Sequence, residues 1–236
     1  MRHHFFFLLF LLLPLGATAQ VGEHRNDFAV GLNSGYVMNR VTFNPSVKET
    51  PKGGLTLGAI ARYTCEKYFS AICAVQAELN YASLGWEEDI DPAYSTDTYS
   101  RTMHYIQMPL LTRIAWGRER RGAQFYLLLG PQFGYCIGEK EHFSNPWIGS
   151  PRPNNVTMQY GKAIENRFEY GLTGGAGLEI STAIGHFQLE GRYYFALSDM
   201  YGNSKKDPFG RSANGAIFIK AAYLLDLIRT KNDAIK

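Results

Sequence analysis

Beyond residue 20 the chain has no run approaching the roughly 20 consecutive apolar residues that a membrane-spanning helix requires. A mature protein threaded through a bilayer as helices is therefore excluded. Cysteine is scarce: Cys65, Cys73 and Cys136 cannot make a full set of internal disulfides, and no CxxC or Cys/His spacing suggests zinc. Cys65 and Cys73 flank a short predicted turn, which leaves two readings open: facing partners across a hairpin, or two small apolar side chains on strands. Excess charge of one sign is also missing. Lys and Arg total 24 against 21 Asp and Glu, and no basic stripe interleaved with aromatics occurs, so nucleic acid is not an expected partner.

The signatures of chemistry are absent too. There is no nucleophile elbow, P-loop, dinucleotide fingerprint or HExxH. The six histidines are scattered, two of them at His3 and His4, so spacing assembles neither a metal cluster nor a triad. The acidic run Glu87-Glu88-Asp89-Ile90-Asp91 could hold a hard cation through its oxygens, but its spacing fits no calcium loop and it reads as a solvated loop. The glycines between 171 and 177 sit mid-strand with no following helix, so close backbone packing explains them better than a nucleotide. Asn155-Val156-Thr157 matches a glycosylation sequon that chance often produces. No enzyme activity, catalytic residue, cofactor or metal is expected.

The N-terminus is informative. Arg2, His3 and His4 form a short polar start, Phe5 to Leu13 is continuously apolar, and Ala17-Thr18-Ala19 is a small-x-small cleavage site. Residues 1–19 read as a secretory signal peptide, 20–227 as one domain and 228–236 as a polar C-terminal tail. Aromatics make up 14% of the chain, with 15 Tyr and 15 Phe, which suits strands rather than disorder.

Eight segments alternate with period two: 27–36, 53–65, 71–84, 101–116, 122–137, 167–182, 186–197 and 214–227. In the third, Val75, Ala77, Leu79 and Tyr81 alternate with Gln76, Glu78 and Asn80. In the seventh, Phe187, Leu189, Tyr193 and Phe195 alternate with Gln188, Glu190, Arg192 and Tyr194. A soluble barrel turns the apolar parity inward, whereas a membrane barrel turns it toward lipid. Alternation alone does not choose.

The connectors favour the membrane. Residues 37–52, 85–100, 138–166 and 198–213 are long and polar, while 66–70, 117–121 and 183–185 are short. In an up-and-down barrel all the long loops then share one end, the arrangement of short periplasmic turns and long extracellular loops. A bilayer also forbids an open sheet, because unpaired backbone groups find no water there. The expected fold is all-β, an eight-stranded antiparallel transmembrane barrel, too narrow for an aqueous channel.

With the apolar parity facing lipid, the interior would hold Arg62, Glu78, Arg113, Glu169, Glu179, Glu190, Arg192 and Lys220, four charges of each sign that could neutralise one another. Gly31, Gly35, Gly58, Gly130, Gly134, Gly171, Gly175 and Gly177 would leave room for them. Aromatic girdles are expected from Tyr36, Tyr63, Tyr68, Phe69, Trp86, Tyr105, Trp116, Tyr135, Phe168, Tyr170 and Tyr223 near strand ends.

Four segments carry a resemblance: Gln76-Ala-Glu78-Leu-Asn80-Tyr81-Ala-Ser-Leu-Gly85-Trp86, Tyr105-Ile-Gln107-Met-Pro109-Leu-Leu, Gly130-Pro131-Gln132-Phe-Gly134-Tyr135 and Gly171-Leu-Thr-Gly-Gly175-Ala-Gly177-Leu-Glu179. In order and spacing they resemble the PorT-like family of Bacteroidetes outer-membrane barrels. The resemblance implies an eight-stranded barrel in the bacterial outer membrane. It also implies kinship with members that serve an apparatus exporting proteins across that membrane.

The function expected is non-enzymatic, with a structural, interaction or secretion-accessory role carried by the extracellular loops. The loop 138–166 presents Phe143, Trp147 and Ile148 among prolines, either as a contact surface or folded over the barrel mouth. Expected partners are outer-membrane lipid and other envelope or secretion proteins. The alternative is a secreted, soluble lipocalin-like barrel holding a small apolar ligand, which needs Leu79, Leu127, Leu129, Leu189 and Tyr193 to face inward.

Overall fold

The computed structural model describes residues 22–93, 95–149, 156–205 and 207–230; the expected signal peptide (1–19) and residues 231–236 of the expected tail lie outside them. Eight strands run in chain order: β1 (Glu23–Asn44), β2 (Glu49–Tyr68), β3 (Ala71–Glu88), β4 (Tyr99–Gly117), β5 (Gly122–Phe143), β6 (Phe168–Ser181), β7 (His186–Ala196) and β8 (Arg211–Ile228). Each pairs antiparallel with the next. β8 returns to β1 through partners such as Asn33 with Ala222 and Gly35 with Lys220, so the sheet is a closed barrel. Closure leaves no strand edge unpaired.

Six of the strands overshoot the expected boundaries, mostly at one end, while β6 and β7 stay within theirs. β1 continues to Asn44 and β2 starts at Glu49, so the connector expected over 37–52 shrinks to 45–48. The reason lies in side-chain character rather than period. Val37, Val41 and Phe43 stay buried, but the residues facing out beside them include the polar Arg40 and Asn44, which in sequence resemble a loop. About 9–11 residues suffice to cross a bilayer as a tilted strand. β1 and β5 have 22 each, so the barrel stands proud of the lipid on the long-loop side. The loops there are 89–98, 144–167 and 197–210 besides 45–48, and the opposite end has only the turns 69–70, 118–121 and 182–185.

The alternation resolves into an inverted surface. Leu32, Leu55, Leu129 and Leu189 are 71%, 65%, 65% and 58% exposed, and the exposed set continues around the ring through Leu79, Ile114, Leu178 and Ile219. A contiguous apolar belt of this kind on a water-soluble protein would be a severe aggregation hazard; against hydrocarbon it costs nothing. The polar parity is buried instead. Close packing inside is visible at Gly177, where an added Cβ would come within 2.4 Å of the Tyr126 ring, so a glycine lets that ring lie across the lumen.

Candidate functional site

The interior is filled in layers. All eight charges expected inside are buried, none more than 5% exposed. They do not share out evenly. Near the short-turn end Glu179 (β6) is a hub: Arg62 (β2) donates to it, Arg113 (β4) at 2.9 Å, Gln188 at 2.7 Å and Ser181 at 3.2 Å, and the His186 ring nitrogen Nδ1 lies 2.9 Å away. The Arg113 guanidinium also lies 4.2 Å above the Tyr126 ring.

Higher up, Glu78 (β3) takes both Arg192 and Lys220, the latter at 2.6 Å, along with amide donors from Gln76 (2.7 Å) and Asn80 (2.9 Å). Arg192 reaches Glu190 at 2.6 Å, and Tyr126 donates its hydroxyl to Glu190 at 3.1 Å. Glu169 meets no cation among the described residues; the Asn214 amide donates to it instead. A carboxylate and its cation removed from water together are tolerable only when both are paired and hydrogen-bonded, as the Glu179 and Glu78 clusters are.

Above these layers the lumen turns aromatic. Phe43, Trp86, Tyr99, Tyr201 and Phe209 are buried in one cluster, with ring centroids 5.1 Å apart for Phe43–Trp86 and Phe43–Phe209, 5.3 Å for Trp86–Tyr99 and 5.5 Å for Tyr201–Phe209. Two of these five rings, Tyr201 and Phe209, come from the loop 197–210, so that loop folds into the mouth. Trp86 and Tyr105 were expected in the girdles; both point inward, at 0% and 1% exposure, because the interior parity continues past the lipid. Tyr36, Tyr63, Phe69, Trp116, Tyr135, Phe168 and Tyr170 do face outward.

Arg101 (β4) ties the mouth together, and the sequence reading passed over it. It is completely buried and donates to Glu139 at 2.6 Å, to Glu141, and to the Gln159 carbonyl at 3.3 Å. Its guanidinium lies 5.9 Å from the Tyr201 ring centroid, and Lys162 Nζ lies 5.3 Å from the same ring. Burial pushes the Tyr201 phenol up to about 12, so the ring is neutral between these cations. The available signal was parity: Arg101 lies twelve residues before Arg113 on β4, hence on the same inward face.

The loop residues expected as a contact surface divide. Phe143 ends β5 and packs edge-on against Trp147 at 4.9 Å; Trp147 meets Tyr160 at 5.2 Å and is half-buried against the aromatic cluster. Ile148 is 64% exposed, while its backbone N–H and that of Gly149 donate to the Asp97 carboxylate at 2.9 and 3.1 Å. The segment is therefore pinned by its backbone and presents one aliphatic side chain outward.

At the other end Glu119, in the turn 118–121, meets Arg25 at 2.9 Å and Lys67 at 2.5 Å. Burial raises its pKa, but the hydrogen bonds from the two cations outweigh this and hold the carboxyl below its ordinary range. No group of three or more metal-ligating side chains gathers among the described residues.

The lipocalin alternative is not favoured. Leu79, Leu127, Leu129, Leu189 and Tyr193, which it needs inside, are 45–65% exposed, and the space it would give to an apolar ligand holds ion pairs.

A family model described as an outer membrane protein β-barrel domain matches residues 18–202. Solved structures with some likeness include Ail of Yersinia pestis in complex with the heparin analogue sucrose octasulfate, at 18% identity over 84% of this chain and 99% of that one, TM-score 0.41. OprG of Pseudomonas aeruginosa is 12% identical over 86% and 98%, TM-score 0.48. Neisserial surface protein A is 10% identical over 83% and 96%, TM-score 0.39. No curated protein matches the chain.

Proposed function

Because the chain belongs to the outer membrane protein β-barrel domain family and so lies in the bacterial outer membrane with lipid against its apolar belt, we propose that it performs no chemistry and acts through its extracellular loops. The observation that carries this reading is the filled lumen: ion pairs below and an aromatic plug above leave the loop surface as the place where another molecule can be met. The contact surface is Phe143, Trp147 and Ile148, with Ile148 projecting and the two partly exposed rings packed beside it, on a backbone already fixed by Asp97. Pre-ordering of this sort lowers the entropic cost of binding.

The finer placement is with the PorT-like barrels, on the four segments between Gln76 and Glu179. On that placement the partner is another envelope or secretion protein, and residues 1–19 are the signal peptide that delivers the chain. The test is complementation of a deletion strain with the wild type or with Trp147→Ser combined with Ile148→Ser, at equal barrel abundance. The reading expects the variant to lose the wild-type pattern of secreted and surface-attached proteins. A variant that restores the pattern fully contradicts the loop as the acting surface.

A further inference from the structure

The three cysteines do not occupy equivalent places. Cys136 is buried in β5 opposite Tyr105, its thiol 3.5 Å from the Gly138 carbonyl. Cys65 and Cys73 instead flank the tight turn at 69–70, on β2 and β3. In the hairpin Tyr68 pairs with Ala71, Lys67 with Ile72 and Glu66 with Cys73, and beyond a register shift Thr64 pairs with Ala74. Cys65 is thus the extra residue of a β-bulge, and both it and Glu66 oppose Cys73.

Parity agrees with this. Thr64 and Ala74 are buried, whereas Tyr63 and Val75 are exposed, so Cys65 and Cys73 both belong to the outer face, partly exposed. The Cys65 sulfur lies 3.3 Å from the Cys73 carbonyl oxygen, over its partner's backbone. Glu66 is the direct partner of Cys73, at the roughly 4.5–5.5 Å Cα spacing of opposed residues, and the bulge sets Cys65 against the same residue, near the 4.4–6.8 Å range of disulfides. The 3.3 Å approach of the Cys65 sulfur to the Cys73 backbone brings the two side chains within reach of one another.

We propose that Cys65 and Cys73 form a disulfide in the mature protein, stapling the bulge beside the first short turn. Short turns of outer-membrane barrels face the periplasm, an oxidising compartment. The co-reactant is a periplasmic thiol–disulfide oxidant. One cysteine thiolate attacks the donor's S–S bond and forms a mixed disulfide, expelling one donor sulfur as a thiolate. The second cysteine thiolate then attacks the mixed disulfide, forming the Cys65–Cys73 bond and releasing the other donor sulfur. Two electrons pass to the donor, and the two protons lost by the cysteines end on its two thiols. The staple closes a short loop on a hairpin that is already formed, so it fixes the bulge rather than the fold.

The test is thiol counting on protein from isolated outer membranes, denatured in the presence of a polyethylene-glycol maleimide with and without prior reduction. The wild type is expected to carry one adduct unreduced, on Cys136, and three after reduction. Cys65→Ser and Cys73→Ser should each carry two adducts without reduction, and Cys136→Ser none. Three adducts on the unreduced wild type would overturn the proposal. So would a dimer on a non-reducing gel that collapses on reduction, since it would place these thiols in a bond between chains.

Discussion

Replacing Glu179 by Gln is expected to destabilise the folded barrel by about 3–5 kcal/mol, the usual result of breaking a buried ion pair from one side. The amide keeps the shape and can still meet Gln188 and Ser181, yet it withdraws the carboxylate that Arg62 and Arg113 share. Both guanidiniums are at most 5% exposed, so little solvent reaches them to take over. The measurement is urea unfolding in phospholipid vesicles, followed by tryptophan fluorescence and by gel mobility. Arg113→Met combined with Glu179→Leu should lose less than the two single changes summed, because only Arg62 then remains without a counter-charge. A loss below about 1 kcal/mol for Glu179→Gln would mean that the lower lumen is hydrated and that these charges are solvated rather than paired.

Arg101→Met is expected to release the extracellular mouth while leaving the transmembrane barrel intact. The side chain gathers Glu139, Glu141, the Gln159 carbonyl and the Tyr201 ring at one point, joining the end of β5, the loop 144–167 and the loop 197–210. Removing it strands two carboxylates beside an aromatic cluster. Some order survives, since Glu141 still accepts from the Tyr99 hydroxyl at 2.5 Å and Glu139 from the Ile164 N–H at 2.8 Å. Local opening therefore rises rather than becoming complete. Trypsin added to intact cells should cleave after Lys162 at least about tenfold faster than in the wild type, equivalent to about 1.4 kcal/mol of local stability. Arg101→Lys should restore protection only in part, because an ammonium cannot bridge two carboxylates in the manner of a planar fork. Unchanged cleavage in Arg101→Met would show that the aromatic packing alone holds the loops.

What the sequence disclosed was governed by period. Leu79 against Glu78, or Leu189 against Glu190, fixes two faces per strand, and the uneven connectors point one end outward. Parity does not say which face meets lipid; the closed ring with Leu32 and Leu129 exposed answers that. Two things stayed hidden because they depend on long-range packing. One is pairing: four charges of each sign suggested even neutralisation, but Glu78 takes both Arg192 and Lys220 while Glu169 takes an amide. The other is the mouth. Trp86 and Tyr105 look like girdle residues until the loops fold over them, and the polar outward side chains of β1 beyond Met38 disguise a strand as a loop.

The central claim, a closed barrel in the outer membrane, is tested most directly by electrophoresis of membrane fractions in detergent with and without boiling. A barrel whose backbone bonds all lie between its own strands resists the detergent until heated. The account predicts protein in the outer-membrane fraction that migrates at a different position before and after boiling. Equal migration, with the protein recovered in the soluble fraction, would contradict it.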